Sequence, residues 1–227
     1  ALEGGGGLVV ATRGLEDATQ VGPGADVVGR QRERVAEGPL RLGYVGRLEQ
    51  HQKRIFDLVE TLDLLHRRDV PFGCVVVGGG PEESELRLRI ASRPFAGRVE
   101  FRGWLSTEEL YDTVYPELDV LVHFAAFEGI PIAPREAMAH GVVPVISEFP
   151  GCRGEGVFRH GVRALTFPIG DLTRAAGHVE RLQADREAWR TLSEGAAASQ
   201  GGAFSEEGAV AAWASAIRTA CERTSRC

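Results

Sequence analysis

From Leu40 onward, short apolar runs alternate with longer stretches in which apolar residues recur every three or four positions. Leu40–Val45 and Phe72–Val77 have the length of strands, and they end at Gly46 and at Gly78-Gly79-Gly80. Between them Ile55, Leu58, Val59, Leu62 and Leu65 fall on one helical face. Pro81 suits the first turn of a second helix, which would carry Leu86, Leu88 and Ile90. Val99–Phe101 predicts a third strand. Ser106-Thr107-Glu108-Glu109 then has the Ser-x-x-Glu form in which serine and glutamate satisfy each other's backbone N–H groups, so a helix opens there. Leu118–Phe124 reads as a buried strand and Arg135–His140 as a short helix stopped at Gly141. Val142–Ile146 and Leu165–Phe167 read as two more strands, and helices near 171–184, 186–198 and 205–223 close the chain.

Strands alternating with helices of this length predict an α/β domain, a doubly wound parallel sheet with helices on both faces. Each glycine-rich break lies at the carboxyl end of a strand, where open sheets of this kind bind ligands. Residues 1–26 fit less well and read as an entry segment or linker. Gly4–Gly7 suits a linker, Leu8–Thr12 a strand and Gly22-Pro23-Gly24 a turn. Residues 27–204 then form the main domain, and 205–227 a C-terminal helix with its tail.

Composition narrows the function. With 227 residues, 43% hydrophobic, the chain can bury a real core. No apolar run approaches the roughly 18–20 residues that cross a bilayer. No basic segment followed by an apolar one opens the chain, so a soluble cytoplasmic protein is expected. A formal charge of −6 argues against nucleic acid as partner while leaving room for one small basic pocket. Cys74, Cys152, Cys221 and Cys227 form no metal-like spacing and read as free thiols. Met138 is the only methionine, so the chain reads as a piece of a longer one. Lys53 is the only lysine among 26 basic residues, which suggests a place where a compact point charge fits and a planar fork does not.

The informative segment runs from Phe127 to Gly141, Phe-Glu-Gly-Ile-Pro-Ile-Ala-Pro-Arg-Glu-Ala-Met-Ala-His-Gly. Glu128 follows a buried strand, a glycine loop comes next, and a helix opens near Pro134 with Glu136 in its first turn. A helix N-terminus carries about half a positive charge and free N–H groups, which attract an anion such as diphosphate. A carboxylate beside it can accept two hydrogen bonds from a ribose diol.

This segment resembles the Glu-x7-Glu signature of glycosyltransferase family 4, retaining enzymes of the GT-B fold. Gly43-Tyr44-Val45-Gly46-Arg47-Leu48 with Lys53 downstream is similar to that family's strand-Gly-Arg-Leu motif. Val75–Pro81, Val99–Gly103, Asp119–Val122, Gly161 and Pro168–Asp171 resemble further family segments, in order, over residues 20–223. The resemblance implies a Rossmann-like domain, the C-terminal half of a GT-B enzyme, that holds a UDP-, GDP- or ADP-sugar. It implies Arg47 and Lys53 on the diphosphate, Glu136 on the ribose, and Glu128 with the Gly129, Ile130 and Pro131 loop facing the sugar. Backbone near Trp104 and Leu105 would border the base. It also implies transfer of a hexosyl group with retention in glycan, glycolipid or natural-product synthesis. No cofactor or metal is expected, since the chain has no Asp-x-Asp. The acceptor-binding N-terminal domain would be missing, the last helix would cross back toward it, and any peripheral membrane contact would lie on that half. Alone, the chain would bind nucleotide weakly and transfer nothing.

The chain departs from the family pattern at Phe124-Ala125, at Pro150-Gly151 and at Arg135, around the sugar more than the diphosphate. Outside the resemblance, Gly78–Gly80 needs only a tight turn, His123 and His140 read as packing or surface residues, and Trp104 as a packed aromatic. Two alternatives stay open: a non-catalytic nucleotide-binding or interaction module of the same fold, and a GT-B epimerase or phosphorylase.

Overall fold

Alternation along each strand sets the architecture. In a computed structural model, Leu40, Leu42 and Tyr44 of β1 (Leu40–Val45) and Phe72, Cys74 and Val76 of β2 (Phe72–Val77) point into one core. Val45, Val75 and Val77, one position out of phase, point into another. Both faces are apolar because both are covered by helices, as buried parallel sheets require. The structure describes residues 38–152 and 156–199, together with Val210, Ala214, Ser215, Ile217 and Arg218. The expected strand at Leu8–Thr12, the Gly22-Pro23-Gly24 turn and most of the 205–223 helix lie outside the described residues.

Six parallel strands, completed by β3 (Val99–Gly103), β4 (Val120–His123), β5 (Val143–Ser147) and β6 (Leu165–Phe167), lie in the order β3-β2-β1-β4-β5-β6. The first core lies under α1 (Phe56–Arg67), α2 (Glu83–Ala91) and α4 (Leu172–Ala184), and Trp189 and Leu192 of α5 (Arg186–Ala198) join it. The second lies under an irregular helical stretch at 107–117 and under α3 (Ile132–Ala139). Trp189 is fully buried and satisfies its indole N–H on the Asp119 carbonyl at 3.0 Å. The Asp119 carboxylate in turn accepts the Arg41 backbone N–H at 2.7 Å, which ties the start of β1 to β4.

Several local expectations change. Pro81 precedes α2 instead of opening it, and Leu88 is 67% exposed because only Leu86 and Ile90, four apart, share the buried face. The Ser106–Glu109 capping box forms, but it opens a single α-turn that passes into a π-turn (Leu110–Val114) and a 3-10 turn (Tyr115–Glu117). Helix α3 starts at Ile132, not near Pro134. Proline is tolerated at its third position because the first four helical N–H groups lack intrahelical partners anyway. Glu136 is therefore its fifth residue, beyond the first turn.

Strand order reverses between the parallel neighbours β1 and β4, from which the chain continues toward opposite edges of the sheet, to β2 and to β5. The segments that follow them diverge and leave a crevice outside their carboxyl ends, the usual ligand position in such sheets. Arg47 and Lys53 follow β1, and Glu128 and Glu136 follow β4.

Candidate functional site

The loop after β1 is shaped by neighbouring backbone. Gly46 N–H donates to the Val77 carbonyl and Leu48 N–H to the Gly79 carbonyl, each at 3.0 Å. Tyr44, buried at the end of β1, donates its hydroxyl to the Arg47 carbonyl at 2.8 Å. Burial, and then the negative charges of Glu128 and Glu49, push its phenol pKa up, so it remains a donor. A Cβ at Gly78, where φ is +125°, would lie 1.9 Å from the Gly46 carbonyl oxygen, and one at Gly80 would lie 2.2 Å from that of Leu48. The triple glycine is thus more than a tight turn: it lets two strand-end loops touch. The result holds Arg47 exposed at the mouth of the crevice.

That crevice is a cavity of about 490 Å³ lined by Val45, Arg47, Gly78, Trp104, Leu105 and Glu136, among others. Trp104 is 80% exposed, so the reading of it as a packed aromatic is overturned; it lines the cavity. Arg47, Trp104, Leu105 and Glu136, dispersed over 90 residues of sequence, meet here.

Lys53 and Glu128 do not line that cavity and are joined to each other. The Lys53 ammonium pairs directly with Glu128 Oε1, and both side chains are largely enclosed, 19% and 8% exposed. Glu49 shapes the loop before Lys53 by accepting the backbone N–H groups of His51 and Gln52. The Gln52 N–H group, first among these, holds the Glu49 carboxyl below the usual range. Gln52 then binds the β4 loop, accepting from Ala126 N–H at 2.8 Å and donating to the Phe127 carbonyl at 3.1 Å.

His123, expected as a packing or surface residue, is buried with its Nε2 3.4 Å from Glu128 Oε1, too far off line for a formed hydrogen bond. Burial pushes its pKa down, the neighbouring Glu128 opposes this, and Lys53 adds to it, so the imidazole is neutral near pH 7. For Glu128, burial is the largest influence and opposes ionisation. His123 and Lys53 together outweigh it and hold the carboxyl below its ordinary range. Gly129 and Ile130 are exposed in the following loop, and Pro131 is buried at the N-cap of α3.

Glu136 has partners that sequence reading missed. Tyr115 donates to its Oε2 at 2.7 Å and Tyr111 to its Oε1 at 3.1 Å. His140 is buried and packs against both tyrosine rings, in keeping with a packing role. The signal available was Tyr111 and Tyr115, spaced four apart on one helical face. Among the described residues no group of three or more His, Cys, Asp or Glu is placed to hold a metal, and no helix is long and apolar enough to cross a membrane. Cys74 and Cys152 are buried.

A parallel sheet with a crevice at its switch point, lined by an arginine and a carboxylate, defines a Rossmann-like domain. A family model described as glycosyl transferases group 1 matches residues 29–199, well over half of the chain, and the chain belongs to that family. One curated relative is the GDP-mannose:cellobiosyl-diphosphopolyprenol alpha-mannosyltransferase of Xanthomonas oryzae pv. oryzae. It is 29% identical over 148 residues, 63% of this chain and 35% of that one. The chain thus spans about a third of the length of that relative. Two solved structures share the fold. Anabaena Alr3699/HepE in complex with UDP and glucose matches at TM-score 0.63 and 20% identity, over 78% of this chain and 48% of that one. The C-terminal domain of a glycosyl transferase group 1 family protein from Francisella tularensis matches at TM-score 0.61 and 17% identity, over 75% and 89%.

Proposed function

We propose that this chain is the donor-binding domain of a retaining glycosyltransferase of family 4, which transfers a hexosyl group from a nucleoside diphosphate sugar. The observation that carries this reading is the crevice at the β1/β4 switch point, where Arg47, Trp104, Leu105 and Glu136 surround one cavity beside the Lys53–Glu128 pair. The base lies against Trp104 and Leu105, and the ribose diol bonds to Glu136. The diphosphate meets Arg47, Lys53 and the N-terminus of α3, whose first turn holds no acidic residue to repel it. Each charge-assisted contact contributes about 1.5–3 kcal/mol. Glu128, with the Gly129–Pro131 loop, faces the sugar.

In transfer the diphosphate leaves with a developing negative charge, which Arg47, Lys53 and the helix N-terminus stabilise where it forms. Lys53 and Arg47 supply the positive charge, so no metal is required. The acceptor comes from a second domain, on the amino-terminal side, which faces the exposed Trp104, Ile130 and Ile132 across the cleft. The test is transfer by the full-length protein from UDP-, GDP- and ADP-hexoses, with the product's anomeric configuration read by NMR and the assay repeated in EDTA. Retention that persists in EDTA is expected; an inverted product, or no turnover of any such donor, contradicts the proposal.

A further inference from the structure

The Glu136 carboxylate is held by more than folding requires. Tyr115 is fully buried and donates to Oε2, while the partly exposed Tyr111 donates to Oε1. Both phenols come from one stretch, pinned at its start by the Ser106–Glu109 capping box and carrying a π-turn at Leu110–Val114. Such turns recur at functional sites. His140 closes the arrangement: its Nδ1 lies 2.9 Å from the Glu136 carbonyl, and its ring sits 5.2 and 5.3 Å from those of Tyr111 and Tyr115. The backbone of Glu136 and both its carboxylate oxygens are thus held by residues that do not line the cavity, while Glu136 itself does.

An ionised carboxylate offers about four lone-pair sites. Two phenols occupy one on each oxygen, so one remains on each. That remainder matches a vicinal diol, with two hydroxyl donors side by side, better than a lone hydroxyl, which would leave one oxygen unused. Rotation of the carboxylate, which would otherwise have to be frozen on binding, is already restricted. Phenylalanine at both positions would fill the same space, and burying a phenol oxygen is unfavourable unless its hydrogen bond is made. Two hydroxyls converging on one partly exposed carboxylate therefore point to a use beyond packing.

We propose that Tyr111 and Tyr115 are positioning residues that orient Glu136 so that the site selects nucleotides with an intact ribose diol. The inference rests on the assignment of Glu136 to the ribose. Binding of uridine, guanosine and adenosine diphosphates, and of their 2′,3′-dideoxy counterparts, would be measured by calorimetry on the full-length protein. The wild type is expected to favour the ribonucleotide about 10- to 100-fold, the range for two charge-assisted hydrogen bonds that are partly offset by water. Tyr115→Phe and Tyr111→Phe are each expected to reduce that preference about 3- to 10-fold, and the double variant to bring it near one. Dideoxynucleotide affinity should stay unchanged in all three.

Equal loss of affinity for both nucleotide types would show a merely structural role and overturn the proposal. So would full discrimination retained in the double variant, and in both cases the ribose assignment survives. A wild-type protein that binds both types equally, or neither, overturns the assignment and the inference with it. Tyr111→Phe lies at a partly exposed ring and keeps the test valid if the buried variant folds poorly.

Discussion

The two halves of the candidate site are built in opposite ways. Around Arg47, Trp104 and Glu136 the surface is open, and Glu136 is already oriented by two phenols before any ligand arrives. Around Lys53, Glu128 and His123 it is closed: the cation and carboxylate satisfy each other, and a buried imidazole lies beside them. A nucleoside would enter the first half without rearrangement. On the proposed reading, a diphosphate would compete with Glu128 for Lys53 in the second, leaving Glu128 freer beside the sugar when a donor is bound. On this account the open half sets affinity for the nucleoside, and the closed half couples the phosphate to the group facing the sugar.

Removing the cations should have the largest effect. The Arg47→Ala plus Lys53→Ala variant is expected to lose about 100-fold or more in kcat/KM, from two contacts of about 1.5–3 kcal/mol each. Unchanged activity with a natural donor would break the catalytic reading and favour a non-catalytic module.

Glycines in the two halves should differ next. Gly78→Ala places a Cβ 1.9 Å from backbone oxygen at a φ of +125° and should destabilise the fold by about 2–4 kcal/mol in urea titration. Gly129, where an added Cβ would meet nothing within 4 Å, should tolerate alanine within about 0.5 kcal/mol. Comparable losses at both would show that the β1 loop is not pinned as described.

Glu128→Gln releases Lys53 in the unliganded state. Nucleoside diphosphate affinity should rise about 3- to 10-fold, since the competition for Lys53 is removed, while turnover falls. Weaker nucleotide binding in this variant would show that the ion pair supports the site instead of opposing ligand.

The smallest effect concerns acid. The His123 pKa is depressed in the fold, mainly by burial, so the unfolded chain takes up a proton at higher pH than the folded one. Its contribution to stability is complete above the ordinary histidine pKa of about 6.5 and declines as pH falls through the depressed folded value. Glu128, also depressed, adds a decline below the ordinary carboxylate range. His123→Gln should flatten the stability–pH slope below about pH 6.5; an unchanged slope would assign the titration to His178, which burial also shifts down.

The fold was legible because the strands are buried on both faces: runs such as Val75-Val76-Val77 and Val120-Leu121-Val122 admit little else at their length. Boundaries were less so where proline misled, as at Pro134, which stands inside α3 and not at its start. The second face of α2 was misjudged at Leu88 because an i, i+2 residue was grouped with an i, i+4 pair. Arg47, Lys53, Glu128 and Glu136 could be singled out from local pattern and resemblance. Their state could not. The Lys53–Glu128 pair spans 75 residues, and the tyrosines on Glu136 lie 21 and 25 residues away, separations that only the sheet topology bridges. His123 could be read as a packing or surface residue and is buried, and its proximity to Glu128 depends on how the β4 loop turns back.

The most direct test of the account is calorimetric titration of the full-length protein with uridine, guanosine and adenosine diphosphates. Saturable one-to-one binding of at least one of them is expected, weakened about 10-fold or more by Glu136→Ala as the ribose contacts are lost. Binding of none of the three, or binding that Glu136→Ala leaves unchanged, would contradict a nucleotide site at the β1/β4 crevice.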